Sequence, residues 1–567
     1  MFAAVALVGI LVFIHESGHF LMAKLFGVGV QVFSLGFGRR LFGVEIGGTD
    51  YRVSMIPAGG YVMMEGADPF QDGGDGLSDP DSPTSFMNKP VWQRLIIVAA
   101  GPAFNLMLPV VVFTALFMIG EPGSAPIVGQ VDTYSAAAEA GLQPGDRVLY
   151  INEEPTATWG AVEETLEHAG DDPVLRVQRG EATLQVPLDT PQDARLDGSV
   201  YPSSVYGLSN LRPGPYVSFV DPGSPLAAAG METGDWVTHV GGEEIQTFSE
   251  LVAHLDAAQG VVELQYKRLS ADEVIDGTAS IDTALTYRAP ELGVALPAAN
   301  DWGLAPPWLA VHSVQADSPA EIGGMLEGDI VAAVDGTPVG TFQDVIHLVK
   351  QAQIGEGEVA STRAITLTLI RDGQPQDRVF KPRIEEGNDN FGRYTFRPVI
   401  GFSTWSYGVS SEAATRRYGF GSAVQHAVTR TADAARKVVS TIGMVVTGEA
   451  AASKTVGGPI AIFRHAAAAA ERGIFDWAYM MAGLSISLAV VNFLPVPVLD
   501  GGQFLFYAVE GIRGRPLSLA MRERAQQIGV LFLLGLMFTV LVIDVRNWIE
   551  EKRDDAPVST QQEDAAE

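Results

Sequence analysis

The sequence predicts a polytopic α-helical membrane protein of about four transmembrane helices, with three tandem α+β domains inserted between helices 2 and 3. Three observations predict it. Four windows are apolar enough and long enough to cross a hydrocarbon core of about 30 Å. The block between the second and third of them carries three short windows that align with one another without gaps. The 567 residues carry a formal net charge of -30 and yet a positive mean hydropathy, so strongly apolar segments must be joined to an acidic soluble part.

The first span covers residues 2–26 and lacks the basic start and small-residue cleavage site of a signal peptide. A second runs from Arg94 to Ile119, a third from Trp477 to Leu494 and a fourth from Ile528 to Ile543. Four spans put both termini on one side. The loop between the last two carries Arg513, Arg515, Arg522 and Arg524, which places it in the cytoplasm and both termini, with the soluble block, outside. No basic stripe interrupts the acidic excess, and phosphates are bound through Lys and Arg, so nucleic acid is excluded as a partner. No cysteine is present. That excludes disulfides, thiolate ligands and a cysteine nucleophile, and leaves His and carboxylates for any metal.

In the repeat, Gly141-Leu142-Gln143-Pro144-Gly145-Asp146, Gly230-Met231-Glu232-Thr233-Gly234-Asp235 and Gly324-Met325-Leu326-Glu327-Gly328-Asp329 start 89 and 94 residues apart. Each window joins a small-residue helix end, a Gly-Asp turn and an alternating apolar strand. The pattern resembles the PDZ domain in its bacterial protease form, whose relatives bind extended peptides by strand addition. The expected organisation is a first span at 1–27; a cytoplasmic-side β-hairpin region with an acidic loop at 28–93; a second span at 94–120; PDZ-like repeats at 124–205, 206–300 and 301–385; a linker with amphipathic helices at 386–475; a third span at 476–512; a fourth at 524–548; and an acidic tail at 549–567. The first linker helix suits a membrane surface. Residues 50–64, alternating around Tyr51, Val53, Met55 and Ile56, read as a hairpin able to pair with an extended substrate.

Chemistry enters with His15-Glu16-Ser17-Gly18-His19, an HExxH motif inside the first span. Residues four apart in a helix lie on nearly the same face, so the two imidazoles converge where a metal ion can sit, with Glu16 on the flank of that face. Ionisable side chains in a spanning helix each cost a few kcal/mol and normally mark a metal site or an ion pathway. Catalytic zinc takes three protein ligands and keeps one position open, so one ligand is still to be found. Asp500 is the candidate. It closes Asn492-Phe493-Leu494-Pro495-Val496-Pro497-Val498-Leu499-Asp500-Gly501, where two prolines break the helix and irregular backbone at membrane depth must be buried in protein or line a cavity.

Together the HExxH and the Asn-x-x-Pro-x-Pro-x-x-Asp-Gly resemble the site-2 protease family of intramembrane zinc metalloproteases, closely its RseP-type bacterial branch. Further matches are Phe33-Ser34-Leu35-Gly36-Phe37-Gly38, Ile56-Pro57-Ala58-Gly59-Gly60-Tyr61-Val62, Asn88-Lys89-Pro90, Ala100-Gly101-Pro102-Ala103-Phe104-Asn105 and Gly457-Gly458-Pro459-Ile460. Two departures stand out: three repeats where that branch commonly carries two, and Gln503 where it often has His.

The resemblance implies Zn²⁺ bound by His15, His19 and Asp500, with Glu16 as general base and then acid. It implies substrate binding by Asn492, by Pro495 and Pro497 of the same motif, and by Asn105, for which helix packing is an equal alternative. It implies regulated cleavage, in a bacterial cytoplasmic (inner) membrane, of transmembrane substrates pre-trimmed by a site-1 protease. Anti-sigma-factor-like proteins and remnant signal peptides are both candidate substrates, and the PDZ array would gate access. Two other readings stay open: a non-proteolytic PDZ scaffold anchored in the bilayer, and an anchored HExxH protease acting on soluble substrates.

Overall fold

The computed structural model describes residues 2–67, 82–191, 201–218, 223–270, 273–283, 302–355, 357–388, 393–405, 408–449 and 457–554. Most of the acidic loop at 70–86 and the tail beyond Asp554 lie outside them. The chain forms two compact units, Met1–Glu121 with Arg417–Glu567, and Pro122–Arg416.

The first unit is built on helices α1 (Phe2–Leu25), α2 (Val91–Ile119), α3 (Phe420–Thr447), α4 (Pro459–Arg472), α5 (Ile474–Asn492), α6 (Asp500–Arg513) and α7 (Leu519–Asp554). Four of them contain stretches long and apolar enough to cross a membrane: Ala3–Leu25, Val91–Ile119, Ile474–Asn492 and Ala520–Arg546. The last is the least buried, and Leu531, Phe532 and Phe538 on it are exposed, as expected of a lipid-facing helix. α2 is central: it packs on α1, α3, α5 and α6. It carries Pro102 and Pro109 internally, a load that a helix packed among others in a bilayer tolerates.

α3 packs one face on its neighbours and leaves Phe420, Val428, Val439 and Val446 exposed. Ala423, Ala427 and Thr431, spaced four apart, are buried on it, in a cluster with Phe113, Phe117, Ala482 and Ile486 of α2 and α5. Small residues at that spacing let helices approach closely. One expectation is corrected here: residues 50–64 are not a hairpin with each other. Strands β1 (Val30–Ile46) and β2 (Thr49–Met64) fold back as four short segments, in which Val32 faces both Met63 and Asp50, and Leu35 faces both Gly60 and Val53. The segment 32–35 thus lies between 50–53 and 60–64, while 42–46 covers the far side of 49–53. A buried Ser34–Ser54 hydroxyl contact of 2.9 Å locks this crossing. Among the described residues, 60–64 is an edge that pairs on one side only.

α4 shows why Gly457-Gly458-Pro459-Ile460 is needed. The buried Asp544 of α7 accepts hydrogen bonds from the Ile460 and Ala461 backbone N–H groups at 2.7 and 3.3 Å, satisfying helix-terminal donors in place of a local cap. A Cβ on Gly458 would stand 2.6 Å from the Asp544 carboxylate.

The second unit contains three four-stranded sheets of one design. Their strand orders are 154–155, 147–151, 174–179, 182–187; then 243–244, 236–240, 261–270, 273–282; then 337–338, 330–334, 365–371, 374–380. Each has its own buried cluster, around Leu166 and Leu175, Leu251 and Leu264, and Val331 and Leu367. Thr158, Thr247 and Thr341 cap the three long helices in the same way. The aspartates of the Gly-Asp turns are all buried, and Arg179, Arg268 and Arg371 clasp Asp146, Asp235 and Asp329 at 2.6–2.7 Å through two nitrogens each. Such bidentate pairing is what makes a buried carboxylate tolerable.

The expected boundaries of the first and third repeats fall short of the strands that close those folds. Gln130–Val131 pairs with Leu208–Ser209, and Val311–Val314 with Phe402–Thr404, so the span 386–475 is not simply linker. The first and third repeats also meet. The Thr133 N–H donates to Asp344 at 2.9 Å and the Thr341 hydroxyl to Asp132 at 3.3 Å. Burial, and then the neighbouring Asp344 carboxylate, push the Asp132 carboxyl up from 3.8 to about 6.

Candidate metal centre

α1 delivers His15, Glu16 and His19 to the face it packs on α2. The contact is close because two glycines allow it. A Cβ on Gly18 would lie 2.4 Å from the Ala100 carbonyl oxygen, and one on Gly101 would lie 2.2 Å from His19 Nε2. This explains the glycine inside the HExxH and the one in Gly101-Pro102.

The third member arrives after α5. The helix ends at Asn492, the chain turns through the two prolines, and α6 begins at Asp500, so the carboxylate sits at the positive end of a helix dipole. Gly501 and Gly502 pack against the turn so tightly that a Cβ on either would lie 2.2–2.3 Å from the carbonyl oxygens of Phe493, Leu494 or Val496. Larger residues would push Asp500 away from α1.

The three side chains converge through His15 Nε2, His19 Nε2 and Asp500 Oδ2. The separations are 3.3 Å between the imidazole nitrogens, 3.1 Å from His15 to Asp500 and 3.5 Å from His19 to Asp500. Among the described residues this is the only His, Cys, Asp and Glu group that could hold a metal ion. A fit test follows from bond geometry. Zinc bonds of about 2.0–2.1 Å in a tetrahedron set ligand atoms about 3.3 Å apart, which is the middle of the observed range. The donor set of two imidazoles and one carboxylate is also one that catalytic zinc uses.

Both rings are held from behind by α2. His19 Nδ1 lies 2.9 Å from the Ile97 carbonyl oxygen, and His15 Nδ1 lies 3.2 Å from the Asn105 amide. Glu16 opens with His15, His19 and Asp500 onto a cleft of about 660 Å³, which the 60–64 edge, Gln503, Phe506, Tyr507, Arg522 and Gln526 also line. Below it Arg94, nearly fully buried, makes a two-pronged ion pair with Glu510 at 2.6 and 3.2 Å, and Arg522 adds a third contact at 3.1 Å. This network ties α2, α6 and α7 together around the Tyr507 ring.

Of the residues expected to touch substrate, the 60–64 edge lines the cleft, whereas Asn105, Asn492, Pro495 and Pro497 do not. Asn105 is fully buried behind His15, the placement that its alternative reading as a helix-packing residue describes. Asn492 is half-buried at the end of α5, Pro495 is exposed in the turn, and Pro497 faces Gly529 of α7.

The model of peptidase family M50 matches residues 3–536. The chain belongs to peptidase family M50. Among curated relatives, a protein named as a zinc metalloprotease from Neisseria meningitidis is 30% identical over 544 residues, covering 94% of this chain and 95% of that protein. The regulator of sigma-E protease RseP from Escherichia coli K12 is 27% identical over 546 residues, covering 94% and 96%. A Xylella fastidiosa protein, also named as a zinc metalloprotease, is 28% identical over 549 residues, covering 93% and 94%. This M50 peptidase is therefore a zinc-dependent metalloendopeptidase with candidate membrane-spanning helices.

Proposed function

We propose that this M50 peptidase cleaves transmembrane protein segments within the bilayer, with zinc held by His15, His19 and Asp500 and proton transfer carried by Glu16. The observation that carries the reading is a ligand triangle of zinc dimensions, two corners of which come from a helix apolar and long enough to span. When bound, zinc supplies Lewis acidity, drawing the pKa of water toward 7 and polarising a carbonyl. Glu16, beside the two histidines and open to the cleft, takes the proton from the attacking water and then delivers it to the leaving amide nitrogen.

A helical substrate must be unwound first, because its carbonyls are hydrogen-bonded along the helix. The single-sided edge at Gly60–Met64 lines the same cleft and offers free backbone groups to an extended segment, which would add as a strand. Gly60 packs against Glu16, with room for no more than a hydrogen: a Cβ there would meet Glu16 Cγ at 3.1 Å and Val12 Cγ1 at 2.8 Å. The added strand would therefore run beside the general base.

The three repeats are read as PDZ-like modules that gate substrate access from the outer face of a bacterial inner membrane, where both termini also lie. One relative is named regulator of sigma-E protease, which favours anti-sigma-factor-like substrates already trimmed by a site-1 protease. Remnant signal peptides are the second substrate class.

The test is Glu16→Gln. The variant should keep about one zinc per chain and lose about 10²–10⁴-fold of its cleavage of a single-span substrate. Undiminished cleavage refutes the assigned base. Gating is tested with substrates carrying bulky outer domains: deletion of residues 122–416, a compact unit in itself, should admit them.

A further inference from the structure

Both imidazoles at the centre point Nε2 at the metal position, so each must carry its ring proton on Nδ1 and needs an acceptor there. His19 has one. Its Nδ1 lies 2.9 Å from the Ile97 carbonyl oxygen, a group that can only accept. The neighbour of His15 Nδ1 is the Asn105 side chain, with Nδ2 drawn toward the ring at 3.2 Å. An amide N–H directed at Nδ1 makes that nitrogen the acceptor and forces the ring proton onto Nε2, which faces His19 at 3.3 Å and Asp500 at 3.1 Å. A protonated Nε2 has no lone pair for a metal.

The two ends of a primary amide have nearly the same shape and exchange by a half-turn. The far end of Asn105 does not oppose that turn, because its Oδ1 is buried without a hydrogen-bond partner. Only the ring decides which end faces it. The residue is otherwise well anchored: Asn105 and Ser485 are fully buried, and the Asn105 carbonyl accepts from the Ser485 hydroxyl at 2.7 Å.

We infer that Asn105 is a positioning residue for the metal centre, its amide oxygen accepting the Nδ1 proton of His15 and thereby leaving Nε2 bare for zinc. Residues 97, 101 and 105 lie four apart, on one stripe of α2. That stripe supplies a carbonyl acceptor to His19, clearance at Gly101 for the same ring, and an amide acceptor to His15. One helix face thus sets both tautomers. The inference rests on the zinc reading above and deepens it.

The experiment is chelator competition for Zn²⁺ on the purified full-length protein in detergent, comparing wild type, Asn105→Leu and Asn105→Asp, with the melting temperature of each metal-free protein as a folding control. Leucine fills nearly the same volume without an acceptor. Aspartate can only accept. Loss of an outer partner of a metal-bound histidine weakens affinity by about 10–100-fold, and that loss is expected for Asn105→Leu, with Asn105→Asp staying within about threefold of wild type or binding more tightly. A packing role gives the reverse, since leucine packs well in this surrounding and a buried carboxylate does not. Zinc affinity of Asn105→Leu within about threefold of wild type overturns the inference, as does an Asn105→Asp variant that folds but binds as weakly as Asn105→Leu. If the aspartate variant does not fold, the leucine variant decides alone. A wild type that binds no zinc would instead defeat the zinc reading itself, so the two failures are distinguishable.

Discussion

Gly101→Ala is the smallest change that should disable this M50 peptidase. The added methyl would lie 2.2 Å from His19 Nε2 and 2.7 and 2.8 Å from the two ring carbons beside it, about 1.2 Å inside the 3.4 Å at which ordinary contact begins. The ring has little freedom to yield. Nδ1 is tied to the Ile97 carbonyl at 2.9 Å, and Nε2 already stands 3.3 Å from His15. Nor can the helices separate freely, since Gly18 rests on the Ala100 backbone in the same contact. Strain of this kind costs about 1–3 kcal/mol, and a ligand displaced by about 1 Å costs on the order of 10²-fold in rate. Zinc affinity by chelator competition and cleavage of a single-span substrate should both fall, with the larger effect on cleavage. Wild-type values for both would refute the packing argument at its tightest point.

Other perturbations test other parts of the structure. Glu510→Ala leaves Arg94 and Arg522, which are 4% and 14% exposed, without their shared carboxylate; breaking a buried pair costs about 3–5 kcal/mol, and a marked fall in melting temperature is expected. Asp544→Ala removes the acceptor for the first N–H groups of α4 and should cost about 1–2 kcal/mol in the same assay. In the second unit, the carboxyl of Asp132 is raised in the folded state from 3.8 to about 6. A raised folded value means that the stability it lends is full below about pH 4 and is lost as pH rises through about 6. Asp132→Asn should therefore stabilise the contact of the first and third repeats above pH 6, by about 1–3 kcal/mol before solvent screening reduces it, and change little at pH 4. Protease protection of that unit across the pH range checks the sign; equal effects at both ends contradict it.

Much of the site was legible because its chemistry is local. HExxH places two imidazoles on one helical face by spacing alone, and the proline-broken turn before Asp500 marks irregular backbone. The three repeats were visible through their Gly-Asp turns. The same windows did not disclose Arg179, Arg268 and Arg371, which lie 33, 33 and 42 residues from the aspartates they clasp. Long-range pairings left no periodic trace at all. Arg94 and Glu510 are 416 residues apart, and nothing near either predicts the other. The 50–64 segment read as a hairpin because alternation reveals a strand and not its partner, and 32–35 inserts between its halves. Asn105 entered only through the resemblance, with helix packing as an equal alternative, and only the pairing of α1 with α2 reveals that it stands behind His15. Its position four residues after Gly101 was the available signal.

The central claim is that two histidines of α1 and the first residue of α6 share one zinc ion. X-ray absorption at the zinc edge, on purified full-length protein and on Asp500→Ala, tests it most directly. Wild type should show about one zinc per chain with two imidazoles and a carboxylate oxygen at about 2.0–2.2 Å, and the variant should lose the metal or the carboxylate signature. A variant that keeps zinc at wild-type affinity with an unchanged ligand shell would contradict the account.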